Sequence, residues 1–376
     1  MIYLDNAATS FHKPKEVFMT VLNSLNSLTA NPGRSGHKLS QMVADKIFET
    51  RENVKNFFGA NNYDLIFTKN CSEALNLALL GTLKRGDHVI TTCYEHNSVL
   101  RPLEHLKSEG VQVEIVDCEL TKFHKEFEKK ILPHTKLVVT TFVSNVTGEI
   151  CDIESVNKIC KKHKIKHLVD GAQASGHLPI NLGNLGVDFF TFSGHKGLYS
   201  ITGVGGLLVK NLDELNPVLY GGTGTESSKL VQPTDAIEGF EIGTIPTISI
   251  LSLNAGIEFL TKNFSKITKK ERELSEILYK KLKNINNLSL LSPEHSLNVF
   301  SFNLKNLDSA TLANILNDEF NLCVRAGLHC APLIHKKLKT ADVGAVRVSV
   351  DYFNNIEEIN HLVFALNKIV NSLKEE

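Results

Sequence analysis

The sequence predicts an α/β protein, a mostly parallel mixed sheet covered by helices and followed by a smaller α+β domain. Short β-branched segments alternate with helix-compatible stretches between about residues 65 and 209, which is typical of a parallel sheet covered on both faces. After about residue 258 the pattern changes to a long charged helix and a compact α+β segment. The 376 residues suffice for two domains, which we predict at 15–258 (large) and at 1–14 with 259–376 (small).

Each element of this prediction follows from a local pattern of residues. The last helix is the best marked, because Asn355 and Glu358 form a capping box and apolar residues then recur at helical spacing. The strands predicted for the sheet, from their β-branched residues, are 65–68, 88–92, 111–116, 137–142, 166–169, 187–192 and 205–209. The elements predicted for the second segment are a helix at about 264–284, a strand at 298–302, a helix from about Ser309, and strands near 322–326 and 345–350.

Composition excludes several classes of function. Basic and acidic residues both number 41 and no basic stripe is visible, so we expect no nucleic-acid partner. The seven cysteines include no CxxC pair, which argues against a disulfide framework and a zinc site, and we expect no metal. No apolar run approaches the ~20 residues of a membrane span. The first residues lack the pattern of a signal peptide, and we expect a cytoplasmic protein.

The most informative pair of residues is Lys196 and Asp170. Lys196 follows the predicted strand 187–192, and Asp170 ends an apolar run 26 positions upstream. This spacing suits a strand, a crossover and a parallel strand, which brings both residues to the carboxyl edge of one sheet. A pyridoxal phosphate (PLP) enzyme needs such a pair, a lysine for the cofactor aldehyde and a carboxylate for the pyridinium nitrogen. The pair therefore predicts PLP as cofactor.

Candidate phosphate ligands lie beside these two residues. Ser193 and His195 precede the lysine and offer donors that suit the cofactor phosphate. Ser72 opens a helix predicted over 74–80, where unpaired amides and the helix dipole favour an anion. The alternative is that Ser72 is only the helix cap. The glycine-rich loop at 221–225 is a weaker signal, and we interpret it as a mobile loop rather than a phosphate site.

Two further polar residues follow predicted strands. His96 could stack on the pyridine ring and shuttle protons near neutral pH, although a lone histidine is more often a surface or capping residue. Asn145 follows the strand predicted at 137–142 and could reach the cofactor or the substrate.

The C-terminal segment supplies an arginine and a cysteine. Arg347 lies inside a predicted strand and needs an anionic partner, either a substrate α-carboxylate or an acidic side chain in a structural ion pair. Cys330 lies in a loop beside His329 and near Arg325, where a thiolate forms more easily. Of the seven cysteines it is the one that we expect to be a nucleophile.

Together these residues resemble the class V aminotransferase group of PLP enzymes, and within it the cysteine desulfurase and selenocysteine lyase families. The resemblance extends from segment 3–8 to the last helix, and segment 325–331 looks like the RxGxHCA signature of the second type of desulfurase. It implies the type I fold of PLP-dependent transferases. The chain departs from the usual pattern at Gly239, where an arginine is common, and at Cys71 and Ser72, where two threonines are usual.

The resemblance also implies roles for individual residues. Lys196 would form the Schiff base, Asp170 would bind the pyridine nitrogen, and Gln173 would bind the phenolic oxygen. Thr244 would reach the phosphate in a neighbouring subunit, which implies a homodimer. The implied cofactor ligands are Cys71, Ser72, His96, Asn145, Asp170, Gln173, Ser193, His195, Lys196 and Thr244; the implied substrate ligands are Asn145, Arg325 and Arg347; the implied catalytic residues are Lys196, His96 and Cys330.

The activity that these roles imply is conversion of L-cysteine to L-alanine, with a persulfide on Cys330 that passes to an acceptor protein. Selenocysteine lyase shares every residue of the set and does not necessarily need Cys330. Transamination, another PLP-dependent lyase reaction and a PLP-binding scaffold within a sulfur-relay assembly are further alternatives. The sequence leaves open whether the sulfur serves iron–sulfur clusters, tRNA thiolation or selenium metabolism.

Overall fold

Thirteen strands and eleven α-helices are found in the computed structural model, which describes residues 1–33 and 36–375. The strands are β1 (Ile2–Tyr3), β2 (Asp64–Thr68), β3 (His88–Thr92), β4 (Gln112–Val116), β5 (Thr135–Thr141), β6 (Lys166–Asp170), β7 (Phe189–Ser193), β8 (Gly205–Val209), β9 (Leu288–Leu290), β10 (Val299–Leu304), β11 (Leu322–Cys323), β12 (Arg325–Gly327) and β13 (Ala345–Ser349). The helices are α1 (Lys15–Ser27), α2 (Lys38–Phe57), α3 (Cys71–Thr82), α4 (Asn97–Ser108), α5 (Phe123–Glu128), α6 (Ile153–Lys162), α7 (Leu182–Leu185), α8 (Thr247–Lys283), α9 (Ser309–Phe320), α10 (Pro332–Lys337) and α11 (Ile356–Glu375).

The central sheet is mostly parallel, as predicted. Its seven strands lie in the order β2-β8-β7-β6-β5-β3-β4. Strands β4, β3, β5, β6 and β7 pair in parallel, and β8 is antiparallel to both β7 and β2. Because helical crossovers connect the parallel strands, their carboxyl ends share one edge of the sheet. That edge carries the site described below.

The core explains why the strands contain almost continuous apolar runs. Val138 and Phe190 belong to the hydrophobic cluster on one face of the sheet, and their neighbours Val139 and Phe189 belong to the cluster on the other. Both faces are therefore buried, which removes the polar alternation of a half-exposed sheet.

The C-terminal segment forms a separate antiparallel sheet with its own core. Strands β12, β13, β10 and β9 lie in that order, and β1 pairs in parallel with β11. The predicted capping box of α11 is present: Asn355 Oδ1 accepts from Glu358 N–H at 3.0 Å, and Asn355 N–H donates to Glu358 Oε2 at 3.1 Å. The α/β fold with an added α+β segment is thus confirmed.

The predicted bounds of the long helix were wrong. We expected a helix at about 264–284, but α8 begins at Thr247 and contains 37 residues. Its first half places Ile250, Leu253 and Ile257 in the core, whereas its second half is charged. The prediction rested on the charged residues alone and therefore did not include the apolar first half of α8. Since α8 continues through residue 258, the domain division at that residue stays a prediction.

Candidate active site

A cavity of about 270 Å³ lies at the carboxyl edge of the central sheet. Strands β6 and β7 are parallel neighbours, with Asp170 opposite Thr191, so Asp170 and the segment after Ser193 open into the same space. The predicted residues that line the cavity are Cys71, Ser72, His96, Asn145, Asp170, Gln173, Ser193, His195, Lys196, Arg325 and Arg347. The structure therefore brings together every predicted site residue except Cys330 and Thr244.

Lys196 presents its amine to this cavity. Its Nζ atom forms no hydrogen bond with any residue that the structure describes. Burial lowers the pKa of Lys196, and the nearby Asp170 carboxylate opposes that shift. A desolvated amine is deprotonated more easily, and the neutral amine is the nucleophile.

Asp170 is buried and is held by two donors. Its Oδ1 atom accepts from Ala172 N–H at 2.9 Å and from the Cys71 thiol at 3.4 Å. Burial raises the pKa of Cys71 well above its ordinary value, so the sulfur keeps its proton and donates. The thiol also lies 3.2 Å from Thr191 Oγ1. The side chain of Cys71, which we predicted as a cofactor ligand, is thus directed toward Asp170. Its backbone N–H donates to Ser193 Oγ at 3.3 Å.

Helix α3 supplies the polar end of the cavity. The helix begins at Cys71, three residues earlier than predicted, because Asn70 caps it: Asn70 Oδ1 accepts from Glu73 N–H at 3.0 Å. Ser72 is therefore not the cap. Its exposed hydroxyl lies 2.6 Å from Ser98 Oγ, and its own N–H, which has no partner among the described residues, favours an anion at this helix end.

His96 combines both sequence interpretations. It caps α4, because its Nδ1 accepts from Ser98 N–H at 3.1 Å, and it also lines the cavity. Burial, followed by the charge of Lys196, lowers the pKa of His96 to about 4. The imidazole is neutral at pH 7 and carries its proton on Nε2. A neutral ring suits stacking, whereas proton shuttling near neutral pH needs a pKa raised by a bound anion.

His195 carries a buried Nδ1 atom with no partner among the described residues. Burial and the charges of Lys196 and Lys13 lower its pKa to about 4. Gln173 is also buried, and its Nε2 donates to Ala7 O at 3.0 Å.

Arg347 is 1% exposed and has an acidic partner. Its Nη2 donates to Asp5 Oδ1 at 2.7 Å, and its Nη1 donates to Asn145 O at 3.1 Å. The ion pair that we considered as an alternative is therefore present. The Nε atom is nevertheless buried without a partner in the part of the chain that is described. Arg325, opposite Arg347 in the β12–β13 pair, forms no ion pair with a described residue, so the cavity retains positive charge for a substrate anion.

Cys330 lies outside the cavity wall. It is exposed, it has a φ angle of 58°, and its carbonyl oxygen accepts from Asn97 N–H at 2.6 Å. Its neighbour His329 is buried, donates from Nε2 to Ala345 O at 3.1 Å, and has a pKa lowered to about 2, chiefly by burial. A neutral His329 cannot supply the positive charge that we expected to favour a thiolate at Cys330; its ring lines the cavity and packs against His335.

The segment before α8 holds the second residue outside the cavity. Thr244 is exposed. The segment is anchored by Glu241, which accepts from both Nη atoms of Arg51 at 2.9 Å and from Phe67 N–H at 2.6 Å. A β-carbon at Gly239 would collide with the Pro233 carbonyl oxygen, so an arginine does not fit there without rearrangement.

Sequence reasoning missed two acidic residues of the site. Asp5 was seen only as part of segment 3–8, and no local pattern indicates that it meets a strand more than 300 positions away. Glu95 is 0% exposed behind His96, where its Oε1 accepts from Thr92 Oγ1 at 2.7 Å and from Thr141 N–H at 2.9 Å. Its position directly after a strand was a usable signal.

The family model for aminotransferase class-V matches residues 2–362. The chain belongs to this family. It is 36% identical to a probable cysteine desulfurase of Pyrococcus abyssi, covering 100% of this chain and 95% of that protein. It is 31% identical to a probable cysteine desulfurase of Methanothermobacter thermautotrophicus, with 98% and 94% covered.

A solved structure shares the fold closely. The apo structure of a cysteine desulfurase from Thermococcus onnurineus NA1 has a TM-score of 0.89 and 34% identity, over 99% of this chain and 95% of that one. The family resemblance inferred from the residues is confirmed. Within residues 1–33 and 36–375 the structure contains no cluster of three or more metal-ligating side chains, and no helix is long and apolar enough to cross a membrane.

Proposed function

We propose that the protein is a PLP-dependent cysteine desulfurase that converts L-cysteine to L-alanine. One observation carries the proposal: an unpaired lysine, a buried aspartate and two arginines face one cavity in a chain whose relatives are cysteine desulfurases. The Lys196–Asp170 pair is what the cofactor requires, and the arginines suit the α-carboxylate of an amino acid.

The cavity residues fit PLP. Asp170 has its Oδ1 engaged, so Oδ2 is left to face the ring nitrogen. The unpaired Nδ1 of His195 and the unpaired Ser72 N–H at the start of α3, with the hydroxyls of Ser72 and Ser193, would hold the phosphate. When bound, PLP supplies an electron sink for the bond broken at the substrate Cα.

The chain's own residues divide the remaining work. Arg347 and Arg325 orient the substrate carboxylate. Lys196, whose pKa is lowered by burial, accepts the proton from the substrate Cα at its Nζ. The Cys330 sulfur attacks the substrate sulfur, so that a sulfur–sulfur bond forms as the carbon–sulfur bond breaks. Because Cys330 is exposed and follows His329 of the cavity wall, its persulfide would be accessible to an acceptor protein.

We further infer a homodimer in which Thr244 serves the site of the other subunit. A depression of about 500 Å³ adjoins the segment that carries Thr244 and is lined by Phe48, Gly243 and Ile245. Phe48 (66% exposed) lies on α2, which also exposes Leu39 (55%) and Met42 (43%). Several exposed apolar side chains on one helix beside a depression support a protein interface there.

The test is to measure alanine and sulfide from L-cysteine with the PLP-loaded protein under reducing, oxygen-free conditions. Equal amounts of both are expected. Pyruvate and ammonia in place of alanine would contradict the proposal and indicate β-elimination. A Cys330→Ala variant should lose activity on L-cysteine. If that variant retains activity on L-selenocysteine alone, the same site also acts as a selenocysteine lyase.

A further inference from the structure

Residues 5–13 form a segment, here called the N-terminal strap, that runs from the small sheet to the lysine. Its first end is fixed at Arg347, through the 2.7 Å contact of Asp5 Oδ1 with Nη2. Residue 5 also forms a backbone bridge with Ser349, and Ala7 N–H donates to Ser349 Oγ at 2.8 Å. This end of the strap is therefore held by β13, the strand that carries Arg347.

The other end of the strap holds the backbone on both sides of the Lys196 side chain. The carbonyl oxygen of His195 accepts hydrogen bonds from Thr9 Oγ1 (3.0 Å), Ser10 N–H (3.1 Å) and Lys13 Nζ (3.4 Å). Ser10 Oγ lies 3.0 Å from Lys196 O and accepts from Lys13 Nζ at 2.7 Å. A buried hydroxyl thus links the Lys13 ammonium to the peptide that follows Lys196.

The middle of the strap contacts a third functional residue. Ala7 O accepts from Gln173 Nε2 at 3.0 Å, and Gln173 lies three residues beyond Asp170. The strap therefore touches the arginine, the glutamine and the lysine that converge on one cavity.

We propose that the N-terminal strap positions Lys196, with Ser10 and Lys13 fixing the lysine backbone and Asp5 coupling that position to Arg347. The inference rests on the proposed function, because it assigns the strap to the lysine of that reaction. The strap residues are positioning residues and not catalytic ones. A misplacement of about 1 Å at a reacting group can cost about a hundredfold in rate, so the backbone contacts of Lys196 have a measurable consequence.

The main variant is Ser10→Ala, which removes the hydroxyl without changing any charge. Its matched control is Ser309→Ala, because Ser309 is as buried (4% exposed, like Ser10) and donates to one carbonyl, Val343 O, at 2.6 Å. In the PLP-loaded protein we expect Ser10→Ala to lower kcat for L-cysteine about tenfold or more while KM changes less. The pH at which the absorption of the bound cofactor changes should shift in Ser10→Ala and not in the control.

The coupling is tested with Asp5→Asn, which contacts Arg347 and not the lysine segment. Hydrogen exchange of residues 194–200 should rise in both Asp5→Asn and Ser10→Ala, and the double variant should add little. Unchanged exchange at 194–200 in Asp5→Asn would overturn the coupling. A lower Tm in Ser10→Ala with unchanged kcat, absorption and exchange would overturn the positioning role. The cofactor absorption and the hydrogen exchange of residues 194–200 do not depend on desulfuration. They therefore test the positioning role even if the proposed function is wrong.

Discussion

A buried carboxyl group behind the site allows a quantitative prediction. Glu95 is 0% exposed, and its Oε2 has no hydrogen-bond partner among the residues described. Burial raises the pKa of Glu95 from its ordinary 4.5 to about 8, against the opposing effect of hydrogen bonds from Thr92 and Thr141. The folded protein therefore keeps this carboxyl protonated at pH 7, where the unfolded chain ionises it.

The sign and size of the effect follow from proton linkage. Between pH 4.5 and pH 8 the folded state holds one proton more at Glu95 than the unfolded state. The free energy of unfolding therefore falls as the pH rises, by about 1.4 kcal/mol for each pH unit. Between pH 4.5 and pH 8 the free energy of unfolding therefore falls by about 5 kcal/mol as an upper limit. Glu95→Gln carries no such proton, so its stability relative to wild type should increase with pH across the same window.

Urea unfolding of the cofactor-free proteins, followed by circular dichroism and tyrosine fluorescence, measures this difference. Glu126→Gln is the control, because the Glu126 side chain on α5 is 43% exposed and forms an ion pair with Lys129. The two signals should coincide if the unfolding is two-state. A stability difference between Glu95→Gln and wild type that stays constant from pH 5 to pH 8 would refute the raised pKa.

Four further predictions concern the candidate active site. Cys330→Ala should keep the absorption of bound PLP and lose sulfur transfer; retained transfer in a sulfide assay would contradict the role of the thiol. Arg347→Lys should raise KM for L-cysteine at least tenfold, because a lysine lacks the planar guanidinium that binds a carboxylate through two parallel N–H groups; an unchanged KM would exclude Arg347 as the carboxylate ligand. His96→Phe should bind PLP nearly as well as wild type in a fluorescence titration, and His96→Ala several-fold more weakly, since stacking is worth about 1 kcal/mol; equal loss in both would argue against stacking. Cys71→Ser should preserve the cofactor absorption that Cys71→Val shifts, because serine still donates to Asp170; identical spectra would exclude that contact as an influence on the ring.

Local patterns predicted those parts of the fold that depend on short segments. Strands β3 and β8 match their predicted bounds: β3 is dense in β-branched residues, and β8 is a short run whose last three residues are apolar. The capping box of α11 was also predicted correctly, because it depends on two residues that are close in sequence. The start of α8 was not predicted, since an apolar helix buried in a core has no polar face that distinguishes it in the sequence.

The candidate site was predictable where its residues follow strands. Asp170, Ser193 and Lys196 converge because parallel neighbours end at one edge, which sequence spacing already indicated. The ion pair of Asp5 with Arg347 could not be predicted, because it depends on the packing of the N-terminal residues beside β13. The contact that His329, the neighbour of Cys330, makes with Ala345 O could not be predicted for a similar reason, because it depends on how β13 packs beside the loop.

The central claim is that Cys330 carries the sulfur released at the Lys196 site. The most direct measurement is peptide mass spectrometry of the PLP-loaded protein after a single anaerobic turnover of L-cysteine without reductant. The account predicts a peptide around Cys330 that is heavier by one sulfur atom, with an equal amount of alanine. Alanine formed with no added sulfur on Cys330, or with the sulfur on another of the seven cysteines, would contradict it.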